Sequence, residues 1–251
     1  MIIVGLTGGI GHGKTTLAKF LSSHATRYVH MESSDLIMEV ANAFRQQHEY
    51  LPDSNNIADI NRWLSPLPSI IEEIVHCKTN LTNISVSMHD LQSSPDSYEK
   101  LIEYLQLMLK RPALRTVKIS QSNKQLFRCL LQWLGGYLVK KVDQGIWYNE
   151  IIRRTQVYAR EGVDLITIGG VRFPGDAKRV QRAGGYVIAV NRPAVKEVDI
   201  HEVTEREREL IKPDVVVIND GSLERLQKVS DRLYLDLKTH HIQPCYKASD
   251  S

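Results

Sequence analysis

Apolar residues recur along this chain in two rhythms. Short runs, Ile2-Ile3-Val4 at the start and the near-continuous 163–168 further on, have the length and density of strands buried on both faces. Residues 28–31, 186–190 and 214–218 read as further strands. Between them the spacing shifts to helical intervals, over 15–21, a stretch through Ala43, then 122–141, 147–160, 176–183, 201–210 and 222–238. In the last of these, Leu223, Leu226, Val229 and Leu233 fall on one face, and Gly184-Gly185 form a stop signal after 176–183. Strands alternating with helices predict an α/β fold, a parallel sheet with helices on both faces.

Residues 46–115 break the alternation. Trp63, Leu67, Ile70, Ile71, Ile74 and Val75 form a helical stripe interrupted by Pro66 and Pro68. The stretch 79–97 is rich in Ser, Asn, Asp and Thr, as an exposed loop is, and 96–110 carries Leu101, Tyr104, Leu105 and Met108 at helical spacing. A helical insertion over 46–115 is therefore expected within a core made of 1–45 and 116–240. The polar stretch 241–251 is expected to be a loose tail.

Composition narrows the class only a little. A chain of 251 residues with 42% hydrophobic and 24% charged residues has enough apolar mass for one large domain with an insertion. The net charge of +3 suits a small polyanionic ligand and gives no footprint for a nucleic acid polymer. Cys77, Cys129 and Cys245 lie far apart with no C-x-x-C pair, so neither a disulfide framework nor a zinc site is indicated. No apolar run reaches membrane-spanning length, and a cytoplasmic protein is expected.

The chemistry begins at residues 8–15, GGIGHGKT, which match G-x-x-x-x-G-K-[ST] directly after the first strand and ahead of the first helix. Gly8, Gly9, Gly11 and Gly13 let the backbone curl with its N–H groups turned inward, and the helix aims its positive dipole end at the same point. Gly9, Gly11, His12, Gly13, Lys14, Thr15 and Thr16 are the candidate ATP-binding residues. Lys14 is expected at the β- and γ-phosphates and the Thr15 hydroxyl on Mg²⁺. This predicts a P-loop NTPase-type sheet, in which ligands sit at the carboxyl ends of the strands. Lys14, Asp35, Arg172, Arg192 and Asn219 should then converge. Asp35 reads equally as a helix cap, alongside Ser33 and Ser34.

These residues, taken in order, resemble the phage-type deoxynucleoside monophosphate kinases and, more distantly, the dephospho-coenzyme A kinases. The opening GLTGGIGHGKTTLA looks like either group. LLQWLG at 130–135 with Ile146-Trp147 downstream, and GGVRFPGDAKRVQRAGG at 169–185, are similar to blocks of the phage-type enzymes. Arg192-Pro193, HEVTE at 201–205 and the stretch 214–226 follow in the same order, whereas 46–115 lies outside the likeness. Two departures stand out: Gly170 where the family pattern carries an acid, and Gly175-Asp176 where it has a polar pair. Asp35 is the candidate to supply the missing charge; reduced turnover or a changed substrate are the alternatives.

The resemblance implies ATP-dependent phosphoryl transfer to a (deoxy)nucleoside monophosphate, with a lid near 192–212; the insertion 46–115, outside the likeness, is expected to be an acceptor-binding region. A homodimer is compatible with the sequence. Arginines grip phosphate oxygens bidentately, so Arg172, Arg128 and Arg192 are the candidates for the acceptor and transferring phosphates. For Arg128 and Arg192 a solvated surface charge is the competing explanation. Asn219 and Gly221 are candidate contacts beside the ATP base, in a loop where Asp220 or Ser222 equally reads as a helix cap. His201, Thr204 and Glu205 belong to the expected lid or to a plain helix, and Trp133, Trp147 and Tyr148 to a base-stacking surface or the core. A small-molecule kinase of the dephospho-coenzyme A type, and a nucleotide-binding regulator with little turnover, remain the alternative functions. No N-K-x-D-type base motif favours a GTPase.

Overall fold

A computed structural model describes residues 1–48, 50–76, 95–141, 143–195 and 207–250. The expected loop at 79–97 lies mostly outside them, as do His201, Thr204 and Glu205. The chain forms two compact units, Met1–Ser33 with Ile151–Ser251, and Ser34–Glu150.

The first unit is built on six parallel strands: β1 (Ile2–Thr7), β2 (Tyr28–Glu32), β3 (Leu165–Gly169), β4 (Tyr186–Asn191), β5 (Val215–Ile218) and β6 (Cys245–Lys247). Their order in the sheet is β2-β3-β1-β4-β5-β6. Every residue of β3 is buried, as is β1 beyond its first residue, which is why these two read as near-continuous apolar runs. Helices α1 (Lys14–Ser22) and α9 (Leu223–Thr239) share one face of the sheet. There Leu17 and Leu21 of α1 and Leu226, Val229, Leu233 and Leu237 of α9 meet Val4, Leu6, Leu165, Ile188 and Val217. Each such leucine contributes about 1.5–3 kcal/mol by leaving water. Residues of opposite parity, Ile3 and Gly5, lie against Val180 of α8 (Pro174–Arg182).

The C-terminal segment is not a loose tail. Cys245–Lys247 pair in parallel with β5, Val217 opposite Tyr246, and Tyr246 is buried. Its hydroxyl donates to Asp236 Oδ2 at 2.6 Å and accepts from the Gln243 backbone N–H at 3.1 Å. A three-residue strand with a single buried side chain is too short to produce a readable alternation.

The second unit is helical. It contains α2 (Ser33–Gln46, of which Ser33 closes the first unit), α3 (Ile57–Leu64), α4 (Leu67–Val75), α5 (Pro95–Lys110) and α6 (Arg128–Lys141), with 3₁₀ turns at Pro112–Thr116 and Lys124–Phe127. The chain returns to the first unit through α7 (Ile146–Arg160). Pro66 and Pro68 act as the sequence pattern predicts, one capping α4 and the other in its first turn. The unit is wider than 46–115 on both sides, since it takes in 116–150 with α6 and α2 is bonded into it. Asn42 exchanges two hydrogen bonds with the Ile119 backbone, at 2.8 and 2.9 Å. Arg45, 9% exposed, donates to the carbonyls of Leu114, Arg115 and Val117 and to Tyr104 Oη, and stacks 4.5 Å over the Phe127 ring. Trp133, Trp147 and Tyr148 are buried, and Trp147 Nε1 donates to Gly135 O at 3.4 Å, so these aromatics are core residues.

Candidate active site

The loop between β1 and α1 is shaped by contacts that exclude side chains. A Cβ on Gly8 (φ 134°) would lie 2.2 Å from the Val190 carbonyl oxygen, and one on Gly13 (φ 102°) 2.6 Å from Asn219 Nδ2. Gly13 is also the N-cap of α1 and has no side chain to satisfy the helix's first N–H groups. The start of α1 is thus an uncapped, positive helix end whose donors suit phosphate oxygens. Lys14 Nζ donates to Gly8 O at 2.8 Å and Gly9 O at 2.7 Å, which holds the ammonium over the loop.

A cleft of about 380 Å³ opens beside this loop. Gly11, Gly13, Lys14, Thr15 and Thr16 line it on the loop side; Arg192, Asn219, Gly221 and Ser222 line it from the ends of β4 and β5. Lys14, Arg192 and Asn219 therefore meet as the strand-end argument requires. Asn219 is buried, donates through its side-chain amide to His12 O at 3.0 Å, and through its backbone N–H to Asn191 O at 2.7 Å. It joins the β5 end, the β4 end and the phosphate loop.

His12 points inward, and its side chain does not line the cleft. The ring is 5% exposed, with Nδ1 3.3 Å from Val190 O and 3.4 Å from the Arg192 backbone N. One tautomer donates to Val190; the other accepts from Arg192. Either way His12 ties the loop to the end of β4. Of the two candidate helix caps, Ser222 is the one used: its Oγ accepts from Arg225 N at 3.3 Å. Asp220 instead accepts from the Ser249 backbone N–H at 2.8 Å, and Gly221 is packed against Ala248. The C-terminal turn thereby backs the loop that lines the cleft.

Arg172 is exposed on the short connection between β3 and α8, outside the cleft lining. The connection is held at both ends. Val171 is buried and its N–H donates to Leu6 O at 3.1 Å. Asp176, 4% exposed in the first turn of α8, accepts from the backbone N–H groups of Phe173 and Arg172. Burial pushes the Asp176 carboxyl up to about 7, against the opposing pull of Arg179 and those two hydrogen bonds. An acid three residues after the N-cap Phe173 is the readable signal for this anchoring role.

Asp35 and Arg128 belong to the helical unit. Asp35 lies in the first turn of α2, where Oδ1 accepts from Gln121 Nε2 at 2.5 Å, and Arg128 is exposed at the first position of α6. Among the described residues no group of three or more His, Cys, Asp or Glu side chains is placed to hold a metal ion. Thr15, which lines the cleft beside Lys14, carries a hydroxyl that suits a Mg²⁺ brought in with phosphates. No helix among the described residues is long and apolar enough to cross a membrane.

Comparison with known proteins agrees with this geometry. The chain is 19% identical over 227 residues to a protein of Acanthamoeba polyphaga mimivirus named "Putative deoxynucleotide monophosphate kinase", covering 89% of this chain and 91% of that protein. Residues 3–229, spanning the phosphate loop, the helical unit and the start of α9, match the family model described as deoxynucleotide monophosphate kinase. A six-stranded parallel sheet, a glycine loop leading into an uncapped helix and a match over most of the chain lead to one conclusion: this chain belongs to the deoxynucleotide monophosphate kinase family.

Proposed function

We propose that this protein transfers the γ-phosphoryl group of ATP to a deoxynucleoside monophosphate, giving the diphosphate and ADP. The observation that carries the reading is the cleft in which the uncapped start of α1, Lys14, Thr15 and Arg192 face one space. Moving a phosphoryl group between two anions requires neutralisation and alignment more than covalent help from the protein. The loop N–H groups and Lys14 hold the donor's β- and γ-phosphates. The Thr15 hydroxyl would hold a Mg²⁺, which would supply positive charge against the phosphates. Arg192 lies against the same space and takes charge that develops on the transferring group. Asn219 and Gly221 flank the nucleoside end. Arg172, on the connection held by Val171 and Asp176, is assigned to the acceptor phosphate, whose oxygens its planar fork suits. Asp35 and Arg128 are assigned to the acceptor from the sequence pattern.

The test is a screen of the full chain with ATP, Mg²⁺ and each deoxynucleoside monophosphate, with dephospho-coenzyme A as a further acceptor, read as ADP release. Acceptor-dependent release with at least one deoxynucleotide, abolished by Lys14→Ala, is the expected result. Release with dephospho-coenzyme A alone would move the assignment to the other kinase group.

A further inference from the structure

The sequence leaves a gap in this site: the end of β3, beside the phosphate loop, carries Gly169-Gly170 and no acid. The sheet fills it from the neighbouring strand. In the β2–β3 register Tyr28 pairs with Leu165, His30 with Thr167 and Glu32 with Gly169, so all three β2 side chains share a face with these β3 residues. The β1–β3 register puts Ile2 opposite Leu165 and Val4 opposite Thr167, which makes this the face of Val4 and Leu6. That is the face covered by Leu17 and Leu21 of α1. Glu32 therefore stands at the carboxyl edge of the sheet on the side where α1 begins with Lys14 and Thr15.

Its carboxylate leans across β3. The position a Cβ would take on Gly169 is 2.7 Å from Glu32 Oε1 and 2.9 Å from Cγ, so the Glu32 side chain occupies the place of a side chain at 169. Two strand spacings separate β2 from β1, about 10 Å, and leaning over a glycine shortens that gap in a way no larger residue at 169 would permit. A polar row supports the arrangement: Tyr28 Oη and His30 Nδ1 bond Thr167 Oγ1 at 2.6 and 2.7 Å, and His30 Nε2 is 3.6 Å from Glu32 Oε1. Gly170 itself has φ 69° with open space around it, a conformation that L side chains rarely adopt.

Resting on the kinase reading, we infer that Glu32, admitted by Gly169, is the carboxylate that faces the Mg²⁺–phosphate end of the nucleotide, in place of an acid on β3. Gly169→Ala and Glu32→Gln should then have the same effect. Gly169 has no positive φ, so alanine is compatible with its backbone, and the group it displaces is the flexible end of Glu32.

The experiment compares full-length wild type, Glu32→Gln, Glu32→Asp and Gly169→Ala in two ways. The first is the melting-temperature shift produced by ATP with Mg²⁺ and by ATP with EDTA. The second is the kcat and KM for ATP in the acceptor assay. The expected result is that Glu32→Gln and Gly169→Ala keep the shift seen with ATP and EDTA but lose most of the added shift that Mg²⁺ gives the wild type. Their kcat should fall about 100-fold or more with KM for ATP changed less than about threefold, with Glu32→Asp between them and the wild type. A wild-type Mg²⁺ increment retained in Glu32→Gln, or a kcat within twofold of wild type, overturns the inference and leaves the kinase reading intact. A wild type that shows the increment yet phosphorylates no acceptor overturns the kinase reading, and the melting comparison still decides the role of Glu32. A wild type with no shift or no increment overturns the inference as well.

Discussion

The side-chain amide of Asn219 donates to the carbonyl of His12 at 3.0 Å, 207 positions earlier in the chain. This bond closes the cleft floor: the β5 end holds the phosphate loop, and the loop's own histidine reaches back to the end of β4. Replacing Asn219 with alanine leaves a buried carbonyl unsatisfied, at about 1–3 kcal/mol. Because the lost bond holds the loop in shape, KM for ATP should rise about 5- to 100-fold. Asn219→Asp should rescue little, since it places a carboxylate oxygen against that carbonyl. Steady-state kinetics with varied ATP check this, and an unchanged KM would show that the loop keeps its shape without Asn219.

Asp176 gives a pH signature. Its pKa is raised by burial from 3.8 to about 7. The folded state therefore binds a proton that the unfolded state releases, and the associated stability is complete below about pH 4 and lost as pH rises through about 7. The loss is on the order of a few kcal/mol. Asp176→Asn, which keeps an acceptor oxygen for the Arg172 and Phe173 N–H groups, should flatten the difference in stability between pH 5 and pH 8. Urea unfolding of both proteins at the two values tests it; parallel pH profiles would count against the assignment.

In the helical unit the critical contact is Arg45. Its guanidinium serves three backbone carbonyls and the Tyr104 hydroxyl from a buried position. Arg45→Met should cost about 3–5 kcal/mol, because three half-buried carbonyls and the buried Tyr104 hydroxyl lose their partner at once. Lysine should rescue poorly, since one ammonium cannot reproduce a planar fork. Chemical denaturation gives the number, and a loss below about 1 kcal/mol would contradict it.

The C-terminal strand makes a separate prediction. Tyr246 fills the core beside β5 and α9, and the turn that follows backs Asp220 and Gly221. Tyr246→Ala should destabilise the protein by about 3–5 kcal/mol and weaken ATP binding more than acceptor binding. Calorimetric titration with each ligand separates the two effects.

The legible part of this protein is the part carried by repetition or by tight sterics. The apolar runs of β1 and β3, the leucine face of α9 and the two prolines around α4 each leave a strong local pattern, and the glycines of the loop permit few alternatives. What stayed hidden depends on register. Glu32 looks like one more polar residue at the end of a strand until the β2–β3 pairing sets it against Gly169. Nothing local marks Cys245–Lys247 as a strand, since its stability comes from β5 and from one tyrosine. His12 reads as a loop residue facing the phosphates, and only the fold turns its ring toward Val190. Arg45 and Asn42 read as ordinary positions on α2, because their partners are 59 to 77 residues away.

The measurement closest to the centre of the account is ADP formed by the full chain with ATP, Mg²⁺ and a panel of deoxynucleoside monophosphates, run beside Lys14→Ala. Release that depends on one or more of these acceptors and disappears in the variant is the predicted result. Equal release with and without acceptor, or activity that survives Lys14→Ala, would contradict it.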